Sequence, residues 1–340
     1  MDNIQSDFIV LENLLAVNLS ITLWSARRKM TPEDMGGINL PPEDLASLGS
    51  KRIADPENLK VFSSLKSRAF SFLDRHGVRF MSGWAIPEDK AGMIVQELIG
   101  IRDEFETAKQ EFLAEYDQSI QGWINKHEEW KEIIEHSTVS SEYVNARMSF
   151  KWQMFKVEPL LQNENQIAVL ESGLAEEVTG LASTLFGEIA HAAEDMWKKV
   201  FQGKTEVTHR ALSPLKTLLG KLQGLSFVEP HIAPVAEIIE SALNVLPKRG
   251  NLNGSDIVML QGLVCLLKDS NALAEHAHDL LLGASDTGVI LQSVLQDHTA
   301  SKETLAGEEA IDIEVDENDP SVLAPVANAA VLEIPSYGLW

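Results

Sequence analysis

The stretch RHGVRFMSGWAIPEDKAG, residues 75–92, lies between two helical patterns and decides how the chain folds. Its apolar residues cluster over 78–86 without helical spacing and Gly83 interrupts them, so this short segment is predicted to be extended. It lacks the Gly-x-x-x-x-Gly-Lys-Ser/Thr pattern of a phosphate loop. The next helix opens with Glu88 and Asp89, whose carboxylates would repel an anion. We interpret the segment as a connector that aims that helix.

The residues that follow predict one very long helix, from Glu88 to about His136, without an internal proline. Its apolar residues follow one another in steps of three and four, which is typical of a helix–helix seam. At 1.5 Å per residue this helix would be roughly 70 Å long and could not bury its apolar stripe alone. The predicted seam consists of Ile94, Leu98, Ile101, Phe105, Phe112, Tyr116, Ile120, Trp123 and Trp130.

Helical spacing dominates the rest of the chain. Further helices are predicted at 10–24, 56–75, 140–157, 164–201, 205–224, 230–246, 255–283 and 286–298. The predicted fold class is therefore all-α, an elongated long-helix hairpin or coiled-coil bundle with a compact helical C-terminal part. The predicted regions are an N-terminal helical region (1–86), a long-helix coiled-coil bundle (87–201), a compact helical region (202–300) and a disordered acidic tail (301–340).

Three glycines, Gly173, Gly180 and Gly187, lie seven residues apart in the predicted helix 164–201 and so share nearly one face. Glycine costs about 1 kcal/mol relative to alanine inside a helix, so this register calls for an explanation. One interpretation is that a neighbouring helix packs tightly there. The other is that the helix is built to bend.

Charge argues against nucleic acid as the main ligand. Lys and Arg number 28 against 51 Asp and Glu, a net charge of −23 that repels phosphate backbones. Basic residues concentrate at Arg27-Arg28-Lys29, Lys51-Arg52 and Arg75, which we interpret as a solvated surface, the alternative being a local basic binding patch. The tail 301–340 carries nine acidic residues and one basic residue. Its tip, with Tyr337, Leu339 and Trp340, is typical of a short docking peptide, the alternative being a tip that folds back or is inert.

The location predicted from composition is the cytoplasm. The single Cys265 cannot form a disulfide within the chain, and the start MDNIQSDFIV lacks the positive n-region of a signal peptide. The longest apolar stretches, 14–24 and 257–267, are about half of the ~20 residues of a membrane-spanning helix. Stable membrane insertion is therefore not expected.

Catalytic motifs are missing from the sequence, which contains no Gly-x-Ser-x-Gly, Gly-x-Gly-x-x-Gly, His-Glu-x-x-His or Cys-x-x-Cys. The pairs Glu188/His191 and Glu275/His278 have the spacing of di-metal helical bundles, but chance alone gives about this many pairs. Glu188 and His191 also lie away from the centre of their helix's apolar stripe. We assign no catalytic, cofactor or metal residue, and a di-metal oxidoreductase is the third hypothesis.

Four stretches carry a resemblance. They are LWSARRKM (23–30), LPPEDLASLGSKRIADPENLKVF (40–62), GVRFMSGWAIPED (77–89) and VLPKRGNLNGSDIVMLQGLV (245–264). Over most of residues 10–285 the chain resembles an uncharacterised domain-of-unknown-function family from bacterial integrative and conjugative elements, plasmids and phages. The resemblance implies a context beside a MoxR-type AAA+ ATPase and a von Willebrand A-domain protein.

The leading functional hypothesis is a non-enzymatic helical interaction or adaptor protein, or a structural subunit, of such an ATPase-linked system. The expected role is anti-phage defence or maintenance of the element, without a cofactor, through protein partners or further copies of the chain. The alternative is a soluble helical pore-forming or membrane-remodelling protein. Short apolar runs and net acidity, which anionic lipids repel, argue against that alternative.

Overall fold

A computed structural model describes residues 10–36, 46, 48–158 and 167–293. The predicted acidic tail and its tip, Tyr337, Leu339 and Trp340, lie outside these residues. The described strands are β1 (Leu14–Thr22), β2 (Arg27–Lys29), β3 (Ser50–Arg52), β4 (Val78–Phe80), β5 (Gly83–Pro87), β6 (Ser149–Phe155), β7 (Glu206–Val207) and β8 (Leu252–Asn253).

Helices make up most of the described chain. They are α1 (Lys60–His76), α2 (Ala91–Ala114), α3 (Tyr116–Lys126), α4 (Lys131–Glu135), α5 (Ser141–Ala146), α6 (Ile167–Met196), α7 (Ser213–Gly224), α8 (Ile232–Val245), α9 (Ser255–Lys268) and α10 (Ser270–Leu281). A further helical stretch covers 287–293. Shorter turns are the 3-10 helices Glu33–Met35, Pro56–Leu59, Glu88–Lys90, Glu128–Trp130 and His209–Leu212, and the π-helix Trp197–Phe201.

A four-stranded antiparallel sheet, in the order β4-β5-β1-β6, makes the predicted all-α fold wrong. The predicted helix 10–24 contains strand β1, and the predicted helix 140–157 is the short α5 followed by strand β6. The start of β1 is covered on both sides, and such a strand has a nearly continuous apolar sequence that periodicity alone cannot distinguish from a buried helix.

The predicted long helix 88–136 is also wrong, because it is divided into α2, α3 and α4. The first break falls at Glu115, where φ is −98° and ψ is 5°. Around this point the apolar spacing runs in successive fours (108, 112, 116, 120), which makes the stripe drift around a straight helix. The break lets Tyr116 turn inward, where its hydroxyl donates to the carbonyl oxygen of Val139 at 2.8 Å.

One face of the sheet carries the first core, in which the sheet residues pack against α1, α2 and α3. The predicted seam lies here, and its first four residues are fully buried. The seam side chains of α2 therefore pack on the sheet and on α1 of the same chain, and the apolar stripe of α2 needs no partner. The first core is centred on Val17, Leu19, Ile21, Phe62, Leu73, Trp84, Ile86, Ile94, Leu98, Ile101, Phe105, Tyr116, Ile120 and Phe150.

The opposite face carries the second core, formed between the β4–β5–β1 side of the sheet and the helices α6 to α10. Its sheet residues alternate with those of the first core, as the pleat requires. They are Leu14, Ala16, Val78, Phe80 and Ala85. Over the β6 side this face is open, and Phe155 is 45% exposed. Residues up to His298 cluster as one unit, so both cores share this sheet as their common wall.

The opening stretch forms the β4–β5 hairpin, so 78–86 is extended as predicted, but it is part of the sheet and more than a connector. Its turn places Met81 at a φ of 52°. Gly83 faces the backbone of β1 so closely that a Cβ there would lie 2.1 Å from the carbonyl oxygen of Val17. Only a residue without a side chain allows this approach.

The outer edge of β4 is capped by two carboxylates of α6. The backbone N–H of Met81 donates to Oε2 of Glu177 at 3.1 Å, and that of Arg79 donates to Oε1 of Glu188 at 3.4 Å. These bonds occupy donors that an edge strand otherwise leaves open. They also tie α6 to the hairpin that the opening stretch forms.

Candidate docking face

The small ladder of β2 and β3 joins the two basic runs that the sequence contains near its N-terminus. Arg27 is opposite Arg52 and Arg28 is opposite Lys51. We call residues 27–29 and 50–52 the basic ribbon. Like charges directly opposite each other in an antiparallel ladder are destabilising. In a protein of net charge −23, the basic ribbon is a local concentration of positive charge.

The two faces of the basic ribbon differ in how their charges are satisfied. On one face, the guanidinium of Arg28 lies 5.2 Å from the ring centre of Tyr143, and Lys51 forms an ion pair with Asp34. Burial works to raise the pKa of Asp34, but hydrogen bonds from Lys51 and from the backbone of Thr31 hold it below its usual value.

On the other face, Arg27 and Arg52 are exposed, and neither has an ion-pair partner in the part of the chain that the structure describes. The two guanidinium groups thus lie side by side on this face without a described carboxylate between them.

An apolar cavity of about 320 Å³ lies beside the basic ribbon, and we call it the tryptophan pocket. The indole of Trp130 is 57% exposed at this cavity. Trp123 is anchored beneath, because its Nε1 donates to the carbonyl oxygen of Arg52 at 3.3 Å and its ring lies 4.1 Å from that of His127. The pocket is lined by Met30, Met35, Trp123, Trp130, Ile133 and Ile134, with Asp34, Lys51, Arg52 and His127 at its rim.

Two of the predicted seam residues, Trp123 and Trp130, thus line a surface cavity. Trp123 also packs against the first core, in or against which the other seven seam residues lie. Trp123 is half-buried and Trp130 is exposed. The sequence pattern selected both for their helical spacing and gave no sign that they would meet Met30 and Met35. The signal that the sequence offers is the basic run 27–29 followed by the apolar residues Met30 and Met35.

Comparison with known proteins places the chain in a family. A family model described as "Protein of unknown function (DUF3150)" matches residues 11–269, more than half of the chain. The chain belongs to the DUF3150 family. The match covers both the basic ribbon and the tryptophan pocket. Neither the curated proteins nor the solved structures contain a match to this DUF3150 chain.

A larger cleft of about 870 Å³ lies elsewhere in the DUF3150 chain, between the end of α1, strand β4 and helices α6 and α7. At its base Lys221 is 8% exposed, donates to the backbone oxygen of Asp74 at 2.7 Å and pairs with Glu188 at 2.5 Å. The carboxylate of Asp74 in turn accepts from the indole of Trp84 at 2.7 Å and pairs with Arg79 at 2.9 Å. These charges satisfy one another, which is the arrangement of a structural junction.

The two Glu-x-x-His pairs do not come together in a metal site among the described residues. Glu188 is bound to Lys221 in the cleft, and His278 lies against the ring of His231, 5.6 Å between centres. Among the residues that the structure describes, no group of three His, Cys, Asp or Glu side chains could hold a metal ion.

The described residues do not support the interpretation of tight packing at the glycine register of α6. At Gly173, Gly180 and Gly187 an added Cβ would meet no described atom within 4 Å. Gly187 instead lines the cleft of about 870 Å³. That the helix bends at these positions remains a prediction.

Among the described residues of this DUF3150 chain, no single helix is long and apolar enough to span a bilayer. Helices α9 and α10 reach that length and composition together, but they are bent by 102° at their junction.

Stability should fall on mild acidification because of His76, at the end of α1. Burial first, and then the charges of Lys90, Arg75 and Lys221, lower the pKa of His76. The unfolded chain, with an ordinary histidine pKa of about 6.5, then binds a proton more readily than the folded protein. Its contribution is present above about pH 6.5 and is lost as the pH falls from that value through the lower pKa of the folded state.

The measurement is urea unfolding of the wild type and of His76→Gln at pH 7.5 and pH 5.5. The loss of unfolding free energy between the two pH values should be smaller in His76→Gln. An equal loss in both proteins would exclude this histidine as the cause. His191→Gln, at an exposed histidine, is the matched control.

Proposed function

We propose that this protein is a non-catalytic interaction subunit that docks an acidic segment of a partner protein, with an apolar anchor side chain, on its basic ribbon and tryptophan pocket. The observation that carries the proposal is the pair of exposed arginines, Arg27 and Arg52, without an ion-pair partner among the described residues, together with the exposed indole of Trp130, which lines one cavity with Arg52. The apolar anchor would fill the pocket and the acidic residues would face the ribbon.

Charge complementarity supports an acidic occupant. The protein as a whole is strongly acidic, so an acidic partner is repelled from most of the surface and attracted at the ribbon. Such a field fixes the orientation of docking more than its strength. Affinity would come from the pocket, because an aromatic side chain that becomes fully desolvated is the typical hot spot of a protein interface.

For the system in which the protein acts, we propose an ATP-driven remodelling complex of a mobile genetic element, with a MoxR-type AAA+ ATPase and a von Willebrand A-domain protein as partners. The family resemblance supports this context. The ATP chemistry would belong to the ATPase, since the chain has no Gly-x-x-x-x-Gly-Lys-Ser/Thr motif. The role would be defence against phage or maintenance of the element.

The pore-forming alternative draws no support from the helices of the second core. Apolar side chains of α8 and α9 are buried among themselves and against α6, so releasing them to a bilayer would mean opening that core. The long apolar stripe of α2 is likewise covered within the chain.

Trp130→Ala is expected to weaken binding of the partner by about tenfold to a hundredfold, because it removes the exposed part of the pocket wall. Isothermal titration of the full-length protein against the purified ATPase and against the purified von Willebrand A-domain protein measures the effect. Raising the salt concentration should weaken wild-type binding as well, since exposed charges are screened.

The matched control is Leu282→Ala, which truncates an exposed apolar side chain outside the pocket. It should leave the affinity unchanged. If neither protein binds the wild type, or if Trp130→Ala binds as tightly as the wild type, the proposed docking face is wrong.

A further inference from the structure

We infer that a second cavity beside the basic ribbon is a binding site for a phosphate monoester group. This cavity of about 320 Å³ lies between the ribbon and the beginning of α1, and we call it the arginine pocket. Its polar lining consists of cations and hydroxyl groups without any carboxylate. These polar residues are Ser25, Arg27, Arg52, Lys60 and Ser63.

The positive charge of the arginine pocket is not neutralised by the described protein. Arg27 and Arg52 have no ion-pair partner in the described ranges. Lys60 pairs with Glu57 at 2.7 Å, but the two side chains are 70% and 63% exposed, so this pair is weak. Three cations thus converge on one cavity in a protein whose net charge is −23.

The chemistry of these groups favours phosphate over a single carboxylate. A guanidinium presents planar paired donors that match phosphate oxygens, and an ammonium adds a compact point charge. A phosphate monoester carries about −1.5 to −2 charges near neutral pH and offers three strong acceptor oxygens. Three cations and the two serine hydroxyls can therefore satisfy such a dianion, whereas a carboxylate would leave most of the charge unbalanced.

The remaining lining indicates what carries the phosphate. Trp24, Leu59, Phe62 and Met148 form an apolar wall, which suits an organic group attached to the phosphate. The volume lies at the lower end of the range of small-molecule sites, so the ligand is small or is one side chain of a larger molecule. A nucleic-acid backbone is a poor candidate because the net charge of −23 would repel its further phosphates.

The like-charge pair in the ribbon gives this inference a second support. Arg27 and Arg52 lie directly opposite each other and repel in the absence of an anion. A bound phosphate bridges both guanidinium groups and turns the repulsion into a shared contact. This site shares Arg27 and Arg52 with the proposed docking face but has a different apolar lining, without Trp130, so the two proposals can be tested separately.

Isothermal titration of the full-length protein with inorganic phosphate, adenosine monophosphate and a short phosphoserine peptide tests the site. Adenosine and the unphosphorylated peptide are the matched ligands. At least one phosphate-bearing probe should bind about tenfold or more tightly than its matched ligand. The probe that binds most tightly distinguishes free phosphate, a nucleotide and a phosphorylated protein as the source.

The variant Arg27→Gln/Arg52→Gln should lose about tenfold or more of this affinity, and Lys60→Gln should lose a smaller part. Arg210→Gln, at an exposed arginine outside the pocket, removes a charge and should bind as the wild type does. Trp130→Ala should also bind phosphate normally, which separates this site from the docking face. Lys60→Gln keeps the test valid if the double variant does not fold.

Two results would overturn the inference. One is that no phosphate-bearing probe binds below about 10 mM. The other is that Arg27→Gln/Arg52→Gln, with a wild-type unfolding midpoint, binds phosphate as tightly as the wild type.

Discussion

Gly83→Ala is expected to destabilise the protein by about 3 kcal/mol or more, because the new methyl group would meet backbone that cannot move aside. Its Cβ would lie 2.1 Å from the carbonyl oxygen of Val17 and 3.0 Å from the carbonyl carbon. These atoms belong to β1, which hydrogen-bonds to β5 on one side and to β6 on the other. Relief therefore requires parting the central strands, and both cores lose their common wall.

Urea unfolding followed by far-ultraviolet circular dichroism measures this effect. The matched control is Gly180→Ala, where a Cβ meets no described atom and the glycine lies inside a helix. That substitution should raise the unfolding free energy by up to about 1 kcal/mol. Opposite signs for the two glycines are the expected result, and a wild-type midpoint for Gly83→Ala would disprove the close approach of β5 to β1.

Lys221→Met is expected to lower the unfolding free energy by about 2–4 kcal/mol. The ammonium of Lys221 lies at the junction of α1, α6 and α7, and its side chain is 8% exposed. Its removal leaves the carboxylate of Glu188 unpaired and the backbone oxygen of Asp74 without its donor. Glu188 is 30% exposed, so water compensates part of the loss and the estimate stays below that for a fully buried pair.

The control for this prediction is Lys199→Met. Lys199 makes an ion pair of the same length, 2.5 Å, with Asp195, but its side chain is 71% exposed. Surface pairs contribute about 0–1 kcal/mol, so this substitution should change little. In a double-mutant cycle, Lys221→Met and Glu188→Gln should show a coupling energy of about 1 kcal/mol or more. Additive effects would mean that the junction is held by packing alone.

The sequence predicts those parts of the fold whose periodicity is long and regular. Helices α1 and α6 and the C-terminal helices follow from steps of three and four residues, and the extended hairpin follows from the irregular spacing around Gly83. Strand β1 was missed because its continuous apolar start, residues 14–17, obscures the period of two that Val17, Leu19 and Ile21 show further on. Strand β6 has a period of two, since Phe150, Trp152 and Met154 alternate with polar residues. The predicted helix 140–157 overlooks this alternation.

The candidate site was predictable only in fragments. The basic runs stand out in the sequence, but their pairing depends on a ladder between segments more than 20 residues apart. Trp130 fits the helical spacing of the predicted seam, and no local pattern reveals that the long helix is interrupted before this residue. Ser25 and Ser63 carry no signal at all, because the segment 25–27 and the beginning of α1 come to line one cavity only when the chain folds.

The sheet that separates the two cores also leaves most of the described tryptophans on one side of the molecule. Four tryptophans, at positions 24, 84, 123 and 152, pack in or against the first core, whereas Trp197 alone among the described residues packs against the second. Intrinsic fluorescence will therefore report mainly the loosening of one side of the molecule. If the unfolding transition followed by tryptophan fluorescence has a different midpoint from the transition followed by circular dichroism, the two sides unfold in separate steps.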